Sequence, residues 1–212
     1  DPSRFSTKKL AGPPRSATLP TAWNGGLLIP RTQGQITYWQ PEAAANVIHP
    51  FQARLVVGKT IEWKRPLVLS EEQVVFATAA GAVYLASVDD TGAPHLAATA
   101  KTNVSGKIVG QLAALRGRAL LVSSDETSDR LWAIDRELFD AGDSAKLPGR
   151  LRWGPQAAGR IALVATQPGG LCAYNENGKL IWQTDIDNQL PLAEPIVEGE
   201  KIILATGAGA IW

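Results

Sequence analysis

The sequence predicts an all-β fold assembled from repeated blades, a β-propeller. Three observations predict it: a strand–turn–strand unit recurs five times, the copies are spaced like propeller blades, and their apolar runs are unbroken rather than alternating. The copies are GLLIPRTQGQITYW (Gly26 to Trp39), VVFATAAGAVYLA (Val74 to Ala86), ALLVSSDETSDRLWAID (Ala119 to Asp135), IALVATQPGGLCAY (Ile161 to Tyr174) and IILATGAGAIW (Ile202 to Trp212). A hydroxyl closes each first strand, at Thr32, Thr78, Ser123, Thr166 and Thr206. Successive hydroxyls are 46, 45, 43 and 40 residues apart, close to the roughly 40–50 residues of a four-stranded blade.

The chain opens on DPSRFSTKKLAGPPRSATLP, which carries four prolines and no apolar periodicity. Residues 1–21 therefore read as an extended linker. Four dispersed cations are too few to read it as a tether to nucleic acid or to an anionic membrane. Blades are expected over residues 22–63, 64–97, 98–153, 154–182 and, incomplete, 183–212. VVFA, ALLV, IALV and IILA are short continuous apolar runs, which indicates strands covered on both faces. Neighbouring blades packing on either side would cover them so. Gly34, Gly81, Gly170 and Gly209 occupy the short turns, whereas the third copy has the longer polar turn Asp125-Glu126-Thr127-Ser128-Asp129. Trp63, Trp153 and Trp182 each end a strand. Docked between blades, each would cover about 150–250 Å².

At Ala173 to Trp182 (AYNENGKLIW) the chain resembles the repeats of the pyrroloquinoline-quinone (PQQ) propeller family, which includes non-enzymatic outer-membrane assembly lipoproteins. The docking pattern of that family reads roughly A-x-D-x-x-T-G-K-x-x-W. Ala173, Gly178, Lys179 and Trp182 match it, with one residue fewer and Asn175 where Asp is usual. A second copy keeps Ala86, Thr91 and Gly92 but has Leu96 in the Trp position. A third starts as Ala133-Ile134-Asp135 and is interrupted before Trp153. The resemblance spans about residues 22 to 212 and implies a PQQ-like or WD-like propeller in an extracytoplasmic (periplasmic or secreted) setting.

A closed propeller usually has about four to eight blades. The fifth copy breaks off at Trp212, so the expectation is a piece of a larger propeller or a processed product; a small four- or five-bladed ring with a borrowed closing strand is the alternative. Unclosed blades expose apolar faces and unpaired edges, which an oligomer, further blades or a second polypeptide would cover.

Lys and Arg total 21 against 20 Asp and Glu, a net charge of +1. With no basic stripe and no interleaved aromatics, nucleic acid is not an expected partner. No run approaches the roughly eighteen apolar residues of a spanning helix. Cys172 is the single cysteine and lies in a predicted strand, where a buried structural thiol is the expectation.

Quinoprotein dehydrogenases of the resembled family hold PQQ and a calcium ion at the propeller centre, with a catalytic Asp, and many carry a pair of adjacent cysteines. One cysteine cannot form that pair. Calcium takes roughly six to eight oxygen ligands, and the two densest acidic stretches, Asp125 to Asp129 and Asp185-Ile186-Asp187-Asn188, do not follow a calcium-loop spacing. His49 and His95, each beside a proline, lie on separate connectors and define no catalytic set. No catalytic, cofactor or metal residue is assigned, and no cofactor is expected. Residues 40–60 and 136–152 interrupt the repeat and are the expected partner-binding rim; RELFDAG within the second is a single helical turn stopped by Gly142. The reading is a non-catalytic propeller scaffold for protein–protein interaction or assembly, and a partial PQQ-dependent dehydrogenase is the alternative.

Overall fold

A computed structural model describes residues 18–40, 48–54, 60–168, 170–186, 189–199 and 201–207. Most of the predicted linker (1–17), parts of the first insertion (41–47 and 55–59), Asp187-Asn188, and the end of the fifth copy with Gly209 and Trp212 lie outside the described residues. The described chain is all β. Four antiparallel four-stranded sheets follow one another along the sequence, each a simple meander. The first holds β1 (Thr21–Trp23), β2 (Gly26–Pro30), β3 (Gln35–Trp39) and β4 (Phe51–Gln52). The second holds β5 (Leu67–Val68), β6 (Val74–Ala77), β7 (Ala82–Asp89) and β8 (His95–Asn103). The third is β9 (Lys107–Leu115), β10 (Arg118–Ser124), β11 (Asp129–Asp135) and β12 (Ser144–Lys146). The fourth is β13 (Arg150–Ala158), β14 (Ile161–Gln167), β15 (Gly170–Tyr174) and β16 (Leu180–Thr184), and β17 (Ile196–Glu198) pairs with β18 (Lys201–Ile203) after it.

The unbroken apolar runs have the physical basis their pattern implied. In β6, Val74 and Phe76 enter the core shared with the first sheet, while Val75 and Ala77 enter the core shared with the third. In β10, Ala119 and Leu121 face the second sheet, and Leu120 and Val122 face the fourth. In β14, Ala162 and Val164 face the third sheet; Leu163 and Ala165 pack with Ile186 and Leu204 beyond the fourth. Successive side chains of a strand point to opposite faces, so a second strand buried on both faces needs apolar residues at every position. Each sheet is thus one slice of a stack, and the hydrophobic core is a series of layers between slices.

The hydroxyls mark a common register. Thr78 pairs with Trp63, Ser123 with Ile108, Thr166 with Leu151 and Thr206 with Pro191, in every case fifteen residues upstream. The first copy departs from this. Arg31, not Thr32, makes the equivalent turn: its N–H donates to the Gln35 carbonyl at 2.8 Å and its carbonyl accepts from Gly34 at 3.2 Å. Thr78 does the same with Ala82 and Gly81 at 2.8 and 3.1 Å. A hydroxyl is therefore dispensable at this position, because the turn closes through the backbone.

The sheets run over 21–52, 67–103, 107–146 and 150–184, which differs from the limits expected from the tryptophans. Trp63 does not close the first sheet; it pairs with Thr78 beside the second. Trp153 lies inside β13, opposite Ala165, and starts the fourth sheet rather than ending the third. Residues 98–103, expected to open the third blade, complete β8 of the second.

Candidate functional site

Two rims of the stack differ in what forms them. One carries the turns between second and third strands together with the connectors that pass from each sheet to the next. On this rim the polar turn of the third sheet and the start of the fourth form a closed network. Asp125 Oδ1 accepts from the Thr127 and Ser128 N–H groups at 2.8 and 2.7 Å and from the Thr127 hydroxyl at 2.8 Å. That hydroxyl, with the two N–H groups, holds the Asp125 carboxyl down at about 2. Asp129, 4% exposed, accepts from Arg150 Nη1 at 2.8 Å and from the Leu151 N–H at 2.6 Å, one bond on each oxygen. Burial alone would raise its pKa; the bonds from Leu151, Ser124 and Arg150 outweigh that and lower it. Arg150 donates further to the Asp125 and Glu126 carbonyls, at 2.7 and 2.6 Å. The acidic turn is thus a latch between two sheets.

The other polar groups singled out in the sequence are committed in the same manner. Asn175, where the docking pattern usually has Asp, accepts through Oδ1 from Asn177 and Lys179 N–H groups at 3.0 and 2.9 Å. Asp89 and Asp135 close the corresponding turns at Thr91, and at Glu137 and Leu138. An amide oxygen serves as well as a carboxylate here, which explains why the substitution leaves the turn intact. Gly178, at φ 73°, lets this turn approach the third sheet: a Cβ built there would lie 3.6 Å from the Ala133 methyl. Cys172 is fully buried in the layer between third and fourth sheets, and burial pushes its thiol pKa up, away from nucleophilic reactivity.

Trp182, expected to dock between blades, is instead 38% exposed, and every residue of β16 is exposed. It pairs with Ala173 on the outermost strand of its sheet. Leu96, which stands in the Trp position of the second copy, is 2% exposed and packs in the layer between first and second sheets.

The first insertion supplies β4, and His49 forms a parallel bridge with His95: its N–H donates to the Pro94 carbonyl at 2.8 Å, and Leu96 N–H returns to the His49 carbonyl at 2.9 Å. The two histidines, which sequence order left on separate connectors, are therefore neighbours, in a role of tying two sheets together. In the second insertion Phe139 N–H donates to the Asp135 carbonyl at 3.0 Å, and this single turn ends at Phe139, with φ 46°, rather than at the expected Gly142. Phe139 and Ala141 are buried in the layer against the second sheet, so this segment is core on one side rather than a free loop.

Among the described residues no three His, Cys, Asp or Glu side chains converge to hold a metal ion. Asp125 Oδ1 is engaged in its turn and both Asp129 oxygens in the latch, and Cys172 has no adjacent cysteine. Along the inner edges of the sheets a cavity of about 360 Å³ is lined by Thr21, Arg65, Gln111, Gln156 and Glu194, from five successive sheets or their connectors. There Gln111 Nε2 donates to Gln156 Oε1 at 2.6 Å and to the Pro155 carbonyl at 3.3 Å, which ties two inner strands.

A larger concavity lies on the connector-bearing rim. It encloses about 650 Å³ and is bounded by Arg54 and 60–62 of the first connector, the Thr78 to Ala82 turn, Tyr84 and Lys101 of the outer strands, and Gly106-Lys107 at the next sheet. Its walls are fixed by backbone bonds: Ala79 N–H donates to the Glu62 carbonyl at 2.7 Å, and Ile108 N–H to the Ala79 carbonyl at 2.8 Å. Lys101 Nζ sits 5.3 Å from the centre of the Tyr84 ring, within cation–π range. Composition alone could not show this cleft, because its charged residues come from positions 54 to 107 and are brought together only by the stacking of sheets.

Comparison with known proteins agrees with this architecture. A family model described as outer membrane protein assembly factor BamB, of the PQQ-like repeat type, matches residues 138–212. BamB from Moraxella catarrhalis superimposes with a TM-score of 0.60 at 15% identity, covering 91% of this chain and 58% of that one. The computationally designed Ika8 protein gives 0.60 at 12% identity, covering 91% and 56%. BBS1N, in its complex with ARL6DN, gives 0.55 at 17% identity, covering 88% and 55%. The chain thus spans somewhat over half the length of the solved structures it resembles. No curated protein matches the sequence. The fold is that of a β-propeller and the sheets are its blades; over residues 138–212 the repeats are similar to those of the PQQ-like family.

Proposed function

We propose that this propeller array is a non-catalytic scaffold for protein–protein interaction or assembly, working as part of a larger propeller outside the cytoplasm. The observation that carries the reading is the use of its polar groups. Asp125, Asp129, Asn175, Asp89 and Asp135 each hold a turn or a blade junction, and none converges with another on a reacting centre. What remains free is a rigid rim with a formed cleft. The likeness to BamB, an outer membrane assembly factor, and to BBS1N, a chain solved in complex with ARL6DN, supports the same reading.

Photo-crosslinking residues placed at Ala80 and Glu126 of the rim, and at Thr99 on outer strand β8 as control, test it in cells that make the protein. Discrete protein adducts from the rim positions and none from Thr99 are expected. Absence of rim adducts would overturn the scaffold reading. Calorimetric titration with PQQ and calcium is the complementary test: no saturable heat is expected from the folded chain, and calcium-dependent saturable binding would replace the scaffold with a quinone-dependent dehydrogenase.

A further inference from the structure

We infer that the rim cleft is a docking site for an acidic peptide segment of a partner protein. The inference rests on the scaffold reading and specifies the chemistry of what the scaffold binds. Its first support is charge. The ionisable residues lining the cleft are Arg54, Lys101, Lys107 and Glu62, three cations to one anion, in a chain whose opposite charges otherwise nearly cancel. Lys64, two residues after Glu62, senses the same charges: burial lowers its pKa, Glu62 opposes that and Lys107 adds to it.

The second support is that the internal counter-charge is weakly held. Glu62 and Lys107 are 3.9 Å apart, and both side chains are 64% exposed. Such an exposed pair is weak, so a ligand carboxylate can replace Glu62 as the partner of Lys107 at little cost. The third is shape. A concavity of about 650 Å³ is within the roughly 300–1,000 Å³ of ligand pockets and takes a few side chains. A nucleic-acid duplex is bound by a longer basic track, and a bilayer meets an exposed face rather than a cleft. Ile61, Ala79 and the Tyr84 ring add an apolar surface among the cations, suited to an acidic segment that also carries an apolar side chain.

The test is fluorescence anisotropy with a labelled octapeptide of glutamates around one phenylalanine, run beside its lysine counterpart, a short DNA duplex and phosphatidylglycerol vesicles. Saturable binding of the acidic peptide alone is expected, weakened about tenfold by the Lys101→Glu/Lys107→Glu double substitution. Glu62→Gln should tighten binding about threefold, a gain that a misfolded variant cannot produce. Lys146→Glu, on outer strand β12, should change nothing. Failure of the acidic peptide to bind, binding indifferent to both cleft variants, or binding of duplex or vesicles in its place would overturn the inference. Any of these could occur with rim adducts still present in the crosslinking experiment, so loss of the peptide site and loss of the scaffold reading are separately visible.

Discussion

The junction between the first and second sheets and the junction between the third and fourth solve the same problem with different chemistry. The first is aromatic. Phe51, Trp63, Phe76 and Tyr84 meet with ring centroids 5.3 to 6.4 Å apart, and Trp23 packs edge-on to Tyr38 at 5.5 Å. The second buries mostly small and aliphatic side chains, including Ala113, Ala162, Val164 and Cys172. It adds the Asp129–Arg150 latch and a close backbone approach, in which a Cβ on Gly110 would lie 2.4 Å from the Gly154 carbonyl oxygen. Ring area dominates one junction, which is pinned by neutral hydrogen bonds such as those of the His49–His95 bridge and of Trp23 Nε1 to the Ser70 carbonyl. Hydrogen-bonded charge and close glycine contact hold the other, and they also fix its geometry.

The comparison breaks most visibly at Trp63. The side chain is 2% exposed, so Trp63→Ala should cost about 3–5 kcal/mol, read as a fall in the urea midpoint. Trp63→Phe should cost far less. The indole N–H has no hydrogen-bond partner among the described residues, so its removal gives up no bond while most of the ring contact remains. A Phe variant as damaged as the Ala variant would mean that the junction depends on a bond to that N–H and not on area.

At the other junction Asp129→Ala should cost about 2–3 kcal/mol, because two charge-assisted or short bonds are lost and the Leu151 N–H is left unpaired in a partly buried site. Asp129→Asn keeps the shape and should cost less. The acid dependence separates charge from shape. Asp129 has a folded pKa below its ordinary value of 3.8, so its contribution is fully present above about pH 4 and is lost as pH falls through the lower folded value. Chemical denaturation of wild type and Asp129→Asn should therefore differ by a constant amount from neutral pH down to about 4 and converge below it. Convergence beginning near pH 6 would point to another group. Gly110→Ala should follow at about 2 kcal/mol, from the positive φ of 66° and the contact with Gly154.

These junctions were unequally legible in the sequence. VVFA, ALLV and IALV announced strands buried on both faces, because pattern depends only on which faces are covered, and the layers bear that out. The register was legible wherever a hydroxyl marks it. It slipped by one residue at Arg31, where the turn closes through backbone atoms that carry no signature in side-chain identity. The latch was visible only as a polar turn, since its other half, Arg150, lies 21 residues away and no local pattern connects them. The rim cleft was still less legible: Arg54, Glu62, Lys101 and Lys107 belong to three separate repeats or connectors. Stacking, not spacing, brings them together.

The smallest expected effect is also the one that most sharpens the contrast between pattern and packing. By its place in the docking pattern, Trp182 should be a buried wedge whose truncation costs about 3–5 kcal/mol. It pairs with Ala173 on the outermost strand of the sheet and is 38% exposed, and Leu180 and Ile181 beside it are exposed as well. Gly178, by contrast, faces the preceding sheet: a Cβ built there would lie 3.6 Å from the Ala133 methyl and 4.0 Å from Leu131 Cδ2. Trp182→Ala should then cost about 0.5–1 kcal/mol, while Gly178→Val, which adds bulk at a positive φ facing that contact, should cost more. The two urea midpoints order the residues directly. A larger loss at Trp182 than at Gly178 would show that the tryptophan is covered in solution, and would return the docking role to the residue the pattern names.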